Sequence, residues 1–189
     1  KHIKNIKKEF DIDFDVFGFD TGTGLPASTD YRDMQFRWKG GLYKMDRESV
    51  EKKLQFSQLV IGDVKETCAT FFDDYRDAAP IGCILFDLDY YSSTVDAFKL
   101  FDTSHENYLP RVFCCFDDII GTNEFIGELC AIREFNEANP SKKIAKPYGL
   151  FALRQQMWNE KIFTLHDFEH PQYSVGVDNK FADAVDSLN

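Results

Sequence analysis

Four times along this chain a short apolar run stops at aspartate. FDVFGFD at 14–20, QLVIGD at 58–63, GCILFDLD at 82–89 and RVFCCFDD at 111–118 share that form. The runs are nearly continuous in apolar residues, as strands are when both faces are covered. Stretches with helical spacing separate them. Strand and helix in alternation define an α/β domain, with a mostly parallel sheet and helices on both faces. Ligands in such sheets bind beyond the C-terminal strand ends. One strand-end acid is a common loop residue. Asp20, Asp63, Asp87 with Asp89, and Asp117 with Asp118 in succession point to a site.

The intervening stretches fill in the order. Residues 1–10 read as a helix, with Ile3, Ile6 and Phe10 on one face. TGTGLPASTD is a loop by its Gly, Pro, Ser and Thr content, and DMQFRWKGGLYKM has no clean period. Helices are predicted over 46–54 and over VKETCATFF. Ser92, Ser93 and Thr94 offer caps for a helix through Val95, Phe98 and Leu100. A last helix carries Phe125, Leu129 and Ile132 on one side. GLFAL (149–153) and EKIFTLHDFE (160–169) read as a late antiparallel strand pair near an edge. Pro171 and Gly176 mark turns in the closing stretch, which takes no role. The length, 189 residues, suits one domain over 1–189 with a real core.

A net charge of -10 argues against nonspecific attraction to nucleic acid or to anionic lipid. Lys1, Lys4, Lys7 and Lys8 read as a solvated helix face. No run of eighteen apolar residues and no signal-peptide pattern occurs, so neither a membrane nor a secretory setting is expected. The five cysteines have no regular spacing and read as free thiols in a reducing, cytoplasmic setting. Cys114 and Cys115, being adjacent in a strand, face opposite ways and do not serve one metal. His105, His166 and His170 lack zinc spacing, and there is no nucleophile elbow or phosphate-binding Gly-Lys-Ser/Thr loop.

If the third and fourth strands are neighbours, Asp87, Asp117 and Asp118 converge. Crowded carboxylates raise one another's pKa values, and a hard divalent cation such as Mg²⁺ resolves the conflict. Simple turn and cap roles are the alternative. Asp87 and Asp89 face one crevice together if the strand ends near Leu88, and otherwise one of them holds structure. Asp20 stands where such folds place an acceptor for ribose hydroxyls. Gly62 would let a flat ring approach the backbone, and Asp63 reads equally well as a plain turn residue. Trp38, Tyr90, Tyr91 and Trp158 could line a pocket or serve as core and rim.

GFDTGTGLP at 18–26, LVIGDVKET at 59–67, LFDLDYYSST at 85–94 and FDDIIG at 116–121 together resemble the macrocin O-methyltransferase family, over roughly residues 14–135. The Asp87-to-Thr94 segment is the most specific of the four. The resemblance implies a Rossmann-like class I methyltransferase sheet. It implies S-adenosylmethionine and Mg²⁺ as cofactors, and a hydroxyl of a sugar or glycosylated small molecule as methyl acceptor. Asp20, Gly62 and Asp63 would then contact the cofactor, Asp87, Asp117 and Asp118 would hold the metal, and Asp87 would act as base. Enzymes of this kind are often homo-oligomers. Ile119 departs from the aromatic that the family often carries after its Asp pair. The family's first strand and glycine-rich turn would precede residue 14, where this chain has a helix, so N-terminal truncation is expected. Two other readings stay open: a degenerate, non-catalytic binding subunit, and a phosphoryl-transfer enzyme using the same acids.

Overall fold

A computed structural model describes residues 2–54, 56–149 and 156–175. Helix α1 (His2–Phe10) leads to strand β1 (Phe17–Asp20). A long loop and the short helix α2 (Arg47–Glu51) precede β2 (Gln58–Ile61), α3 (Val64–Asp74) and β3 (Ile81–Phe86). Then come α4 (Tyr91–Ala97), β4 (Tyr108–Phe116), α5 (Gly127–Ala138), β5 (Lys142–Ala145) and β6 (Ile162–Asp167). No helix among the described residues is long and apolar enough to cross a membrane.

The strands form two sheets. β1 and β2 are parallel, and a second sheet runs β3-β4-β6-β5. Within it β3 and β4 are parallel, while β6 is antiparallel to both β4 and β5. Among the described residues the sheet is therefore mixed rather than mostly parallel. β6 enters next to β4 in the reverse direction, and β5 follows it at the edge. β1 and β3 each carry a strand partner on one side only. α3 makes the crossover between the sheets and packs on β1, where Phe71 meets Phe17 edge-on with ring centroids 5.0 Å apart.

The abundance of Phe has a packing explanation. Phe86 and Phe116, the last residues of the parallel pair β3–β4, stack with centroids 4.5 Å apart. Phe98 meets both edge-on, and Phe163 meets Phe116 from β6. Aromatic contacts of this kind stabilise beyond the area they bury, by about 0.5–1.5 kcal/mol per pair. Val112, Cys114 and Phe116 point into this core and are buried. On the opposite face Leu85 is 75% exposed and Phe113 60% exposed. The apolar runs of β3 and β4 suggest two covered faces, but the described residues cover one.

Local predictions differ in several places. β4 begins at Tyr108, three residues before the apolar run suggests. α5 begins at Gly127, which leaves Phe125 outside the helix and exposed while Ile132 is buried. β5 is absent from the pattern reading because KKIA has one core residue, Ile144, between lysines and an alanine. It pairs β6 in place of GLFAL, whose residues 150–153 lie outside the described residues. Positions 176–189 of the closing stretch also lie outside them.

Candidate metal and cofactor site

The site follows from register. Phe86 and Phe116 are paired in the parallel ladder, so Asp87 and Asp117 leave the sheet side by side. Asp118 follows in a single 3-10 turn, 117–119. The carboxylates of Asp87, Asp117 and Asp118 offer oxygens that all lie within 4.8 Å of one another. β3 ends at Phe86, before Leu88, and Asp89 adopts a left-handed backbone with φ of 60°. Alternation is thereby broken, and Asp89 joins the same cluster as a buried group.

Glu128, in the first turn of α5, is fully buried behind the cluster. Its Oε2 accepts from the Asp118 backbone N–H at 3.0 Å. Gly127 before it has a φ of 61°, and a Cβ there would stand 3.0 Å from Met34 Cε. Met34 thus packs against the start of α5, where the left-handed backbone favours glycine.

Electrostatics agree with the crowding. Burial and then the charges of Asp118 and Asp117 raise Asp87 above the ordinary carboxylate range. Burial, Asp118 and Asp87 push Asp89 up to about 7, against the opposing charge of Arg37. Glu128 is pushed up to about 9, mainly by burial, with the three aspartates adding to it and the Asp118 N–H opposing. Asp118 Oδ2 and Glu128 Oε1 are buried and meet no hydrogen-bond partner. Buried acceptors without donors cost free energy. Clustered hard oxygens with such orphans fit an octahedral dication such as Mg²⁺.

The long loop is clamped over this end of the sheet. Asp33, fully buried, accepts from Ser92 N at 2.8 Å and from Ser92 Oγ at 2.9 Å, and it also binds the Ser28 hydroxyl. The cap on α4 thus comes from a residue 59 positions away, not from Ser92, Ser93 or Thr94. Arg32 stacks on Tyr91 at 3.9 Å and bridges Asp30 to Glu134. Farther along, Arg37 donates to the Ile120 carbonyl at 3.3 Å. Tyr90 and Tyr91 are buried, whereas Trp158 is exposed.

Asp20, Gly62 and Asp63 stand together at the C-terminal ends of β1 and β2. Asp20 Oδ1 accepts from Gly22 N at 2.6 Å, and its carbonyl accepts from Gly62 N at 3.0 Å. Gly62 has a φ of 154°, and a Cβ there would meet Thr67 Cγ2 at 2.7 Å, so the backbone must stay bare. Asp63 caps α3 by accepting from Lys65 N at 2.9 Å. That is the turn role which the sequence leaves level with a cofactor contact.

Four contributors escape sequence reasoning. Glu128 looks like any acid complementing a helix N-terminus, and Asp33 like any loop acid. Arg37 and Lys161 reach the cluster through tertiary folding alone. Lys161 Nζ donates to Asp117 Oδ1 at 2.6 Å.

No family model matches the chain, and no curated protein matches it. Among solved structures it is similar to CalS11, a calicheamicin methyltransferase, with a TM-score of 0.54 and 22% identity. The likeness covers 80% of this chain and 60% of that one. The chain thus spans less than two thirds of the methyltransferase it resembles. At this identity the likeness shows the fold alone: a mixed sheet with flanking helices, Rossmann-like, as in that structure.

Proposed function

We propose that this chain belongs to an S-adenosylmethionine-dependent, Mg²⁺-dependent O-methyltransferase whose acceptor is a hydroxyl of a sugar or glycosylated small molecule. The observation that carries the reading is the trio Asp87, Asp117 and Asp118, gathered within 4.8 Å at adjacent strand ends of a methyltransferase-type sheet. The four sequence motifs support the narrower, macrocin-type assignment. Asp87, Asp117 and Asp118 would hold Mg²⁺. The ion, when bound, would orient the acceptor hydroxyl and lower its pKa, and the cofactor would supply an electrophilic methyl group.

The chain's own residues divide the remaining work. Asp20 would accept from the cofactor ribose. The bare backbone at Gly62 would admit the flat adenine, with Asp63 beside it. Asp87, at the end of β3 within the trio, would also act as the base that takes the hydroxyl proton. The clamped loop from Asp30 to Arg37 would limit water at the site. A cytoplasmic setting fits the free cysteines among the described residues.

The experiment is methyl transfer from labelled S-adenosylmethionine to a panel of glycosides, with Mg²⁺ and with chelator. Asp87→Ala and Asp117→Ala should each lose at least about a hundredfold in turnover, with circular dichroism unchanged. Full turnover in either variant, or in chelator, would contradict the metal assignment. The second reading, a non-catalytic binding subunit, draws on the bare face at Leu85 and Phe113. It requires that no acceptor is methylated while the fold stays intact.

A further inference from the structure

The strand-end trio has a cation of its own. Lys161 Nζ lies 2.6 Å from Asp117 Oδ1, and its side chain is 18% exposed while that of Asp117 is 57% exposed. Its charge also reaches Asp87, whose carboxyl it favours in the ionised form. Asp118 acts on it as well, so Lys161 faces all three acids proposed to bind Mg²⁺. It comes from the end of the 3-10 segment 157–161, immediately before β6, and not from either ligand-bearing strand. The trio is backed by the orphaned, fully buried Glu128 Oε1, so the acids are not merely a solvated surface group.

Resting on the metal reading above, we infer that Lys161 is a tethered counter-ion that competes with the divalent cation and sets the affinity of the site for it. An ammonium group at 2.6 Å blocks one lone-pair direction of Asp117. A dication bound by Asp87, Asp117 and Asp118 would repel the ammonium over a few ångströms. The two cannot both have Asp117 at full strength. In the metal-free protein Lys161 lowers the repulsion among the acids. On metal binding it must turn away from Asp117, toward solvent or an acceptor oxygen. Lys161 is a positioning residue acting through Asp117.

A structural role predicts that removing Lys161 weakens everything. The counter-ion role predicts opposite signs for two measurements. The full protein is titrated with Mn²⁺ as probe, by calorimetry and electron paramagnetic resonance, for wild type, Lys161→Met, Lys161→Arg and Asp117→Asn. Lys161→Met should bind Mn²⁺ about tenfold more tightly, the size of a partly exposed ion pair and the like-charge repulsion together. Its chelator-treated form should melt at a lower temperature than wild type. Lys161→Arg should restore wild-type affinity within about threefold, since the charge is kept.

Unchanged or weaker Mn²⁺ binding in folded Lys161→Met, with wild-type binding abolished by Asp117→Asn, would overturn this inference and leave the metal site standing. Absence of saturable Mn²⁺ binding in wild type and Lys161→Met alike would overturn both. Binding in Lys161→Met but not in wild type would support the inference in its strongest form.

Discussion

Glu128 shows how one side chain can record the demands of a whole site. It is fully buried, its carboxyl is held up to about 9, and one oxygen supports the Asp118 backbone. A carboxyl whose folded pKa is raised stabilises the fold below its unfolded pKa, and that stability is lost as pH rises through the folded value. In chelator-treated protein, stability should therefore fall from roughly pH 4.5 to pH 9 because of Glu128, with Asp89 adding to the fall up to about pH 7. Glu128→Gln keeps an acceptor for the Asp118 N–H and removes the titration. Its chelated form should be more stable than wild type at pH 8 by on the order of a few kcal/mol. Thermal melts from pH 5 to 9 measure this. A variant curve parallel to wild type across the range would refute it.

At the scale of elements, the clamp between loop and helices explains why this end of the sheet is held in shape. Asp33 supplies the cap on α4 and ties down Ser28, while Met34 fills the space left by Gly127. Asp33→Ala should cost about 2 kcal/mol, the upper range for losing a cap with further buried bonds. It should also open residues 28–38 to limited proteolysis. Resistance equal to wild type would mean that the loop is held by Arg32 and Met34 alone. Deeper in, Phe86→Ala should cost about 3–5 kcal/mol, since it removes the stack on Phe116 and leaves a cavity. Urea unfolding would measure both.

The same elements show what the sequence makes legible. The apolar runs ending in Asp mark β1 to β4 well, because strand ends and site acids coincide there. Asp87, Asp117 and Asp118 are readable for that reason. Other parts depend on distant partners: the α4 cap on Asp33, the edge strand β5 on β6, and Glu128 and Lys161 on the packing of α5 and the 157–161 segment. No local pattern carries such partners. The left-handed Asp89 likewise follows from ending β3 early, where the sequence leaves its facing undecided.

For the whole molecule, the division into two sheets is the main constraint. β1 and β3 each present a free edge among the described residues, and one face of β3 and β4 is bare. A parallel sheet with an open edge and an apolar face invites pairing or association. Leu85→Lys and Phe113→Lys should change stability by no more than about 0.5 kcal/mol, as surface positions do. They should also lower its tendency to aggregate in light scattering. A loss above 2 kcal/mol in either variant would mean that this face is covered in the folded protein.

The central claim is the proposed pair of sites: cofactor at the ends of β1 and β2, and metal at the ends of β3 and β4. Calorimetric titration of the full protein with S-adenosylhomocysteine, with and without Mg²⁺, tests it most directly. The account predicts saturable one-to-one binding that Asp20→Ala weakens at least about tenfold, as loss of a charged hydrogen-bond acceptor should, and that Asp117→Asn leaves intact. No saturable binding by the folded protein in either condition, or binding indifferent to Asp20→Ala, would contradict it.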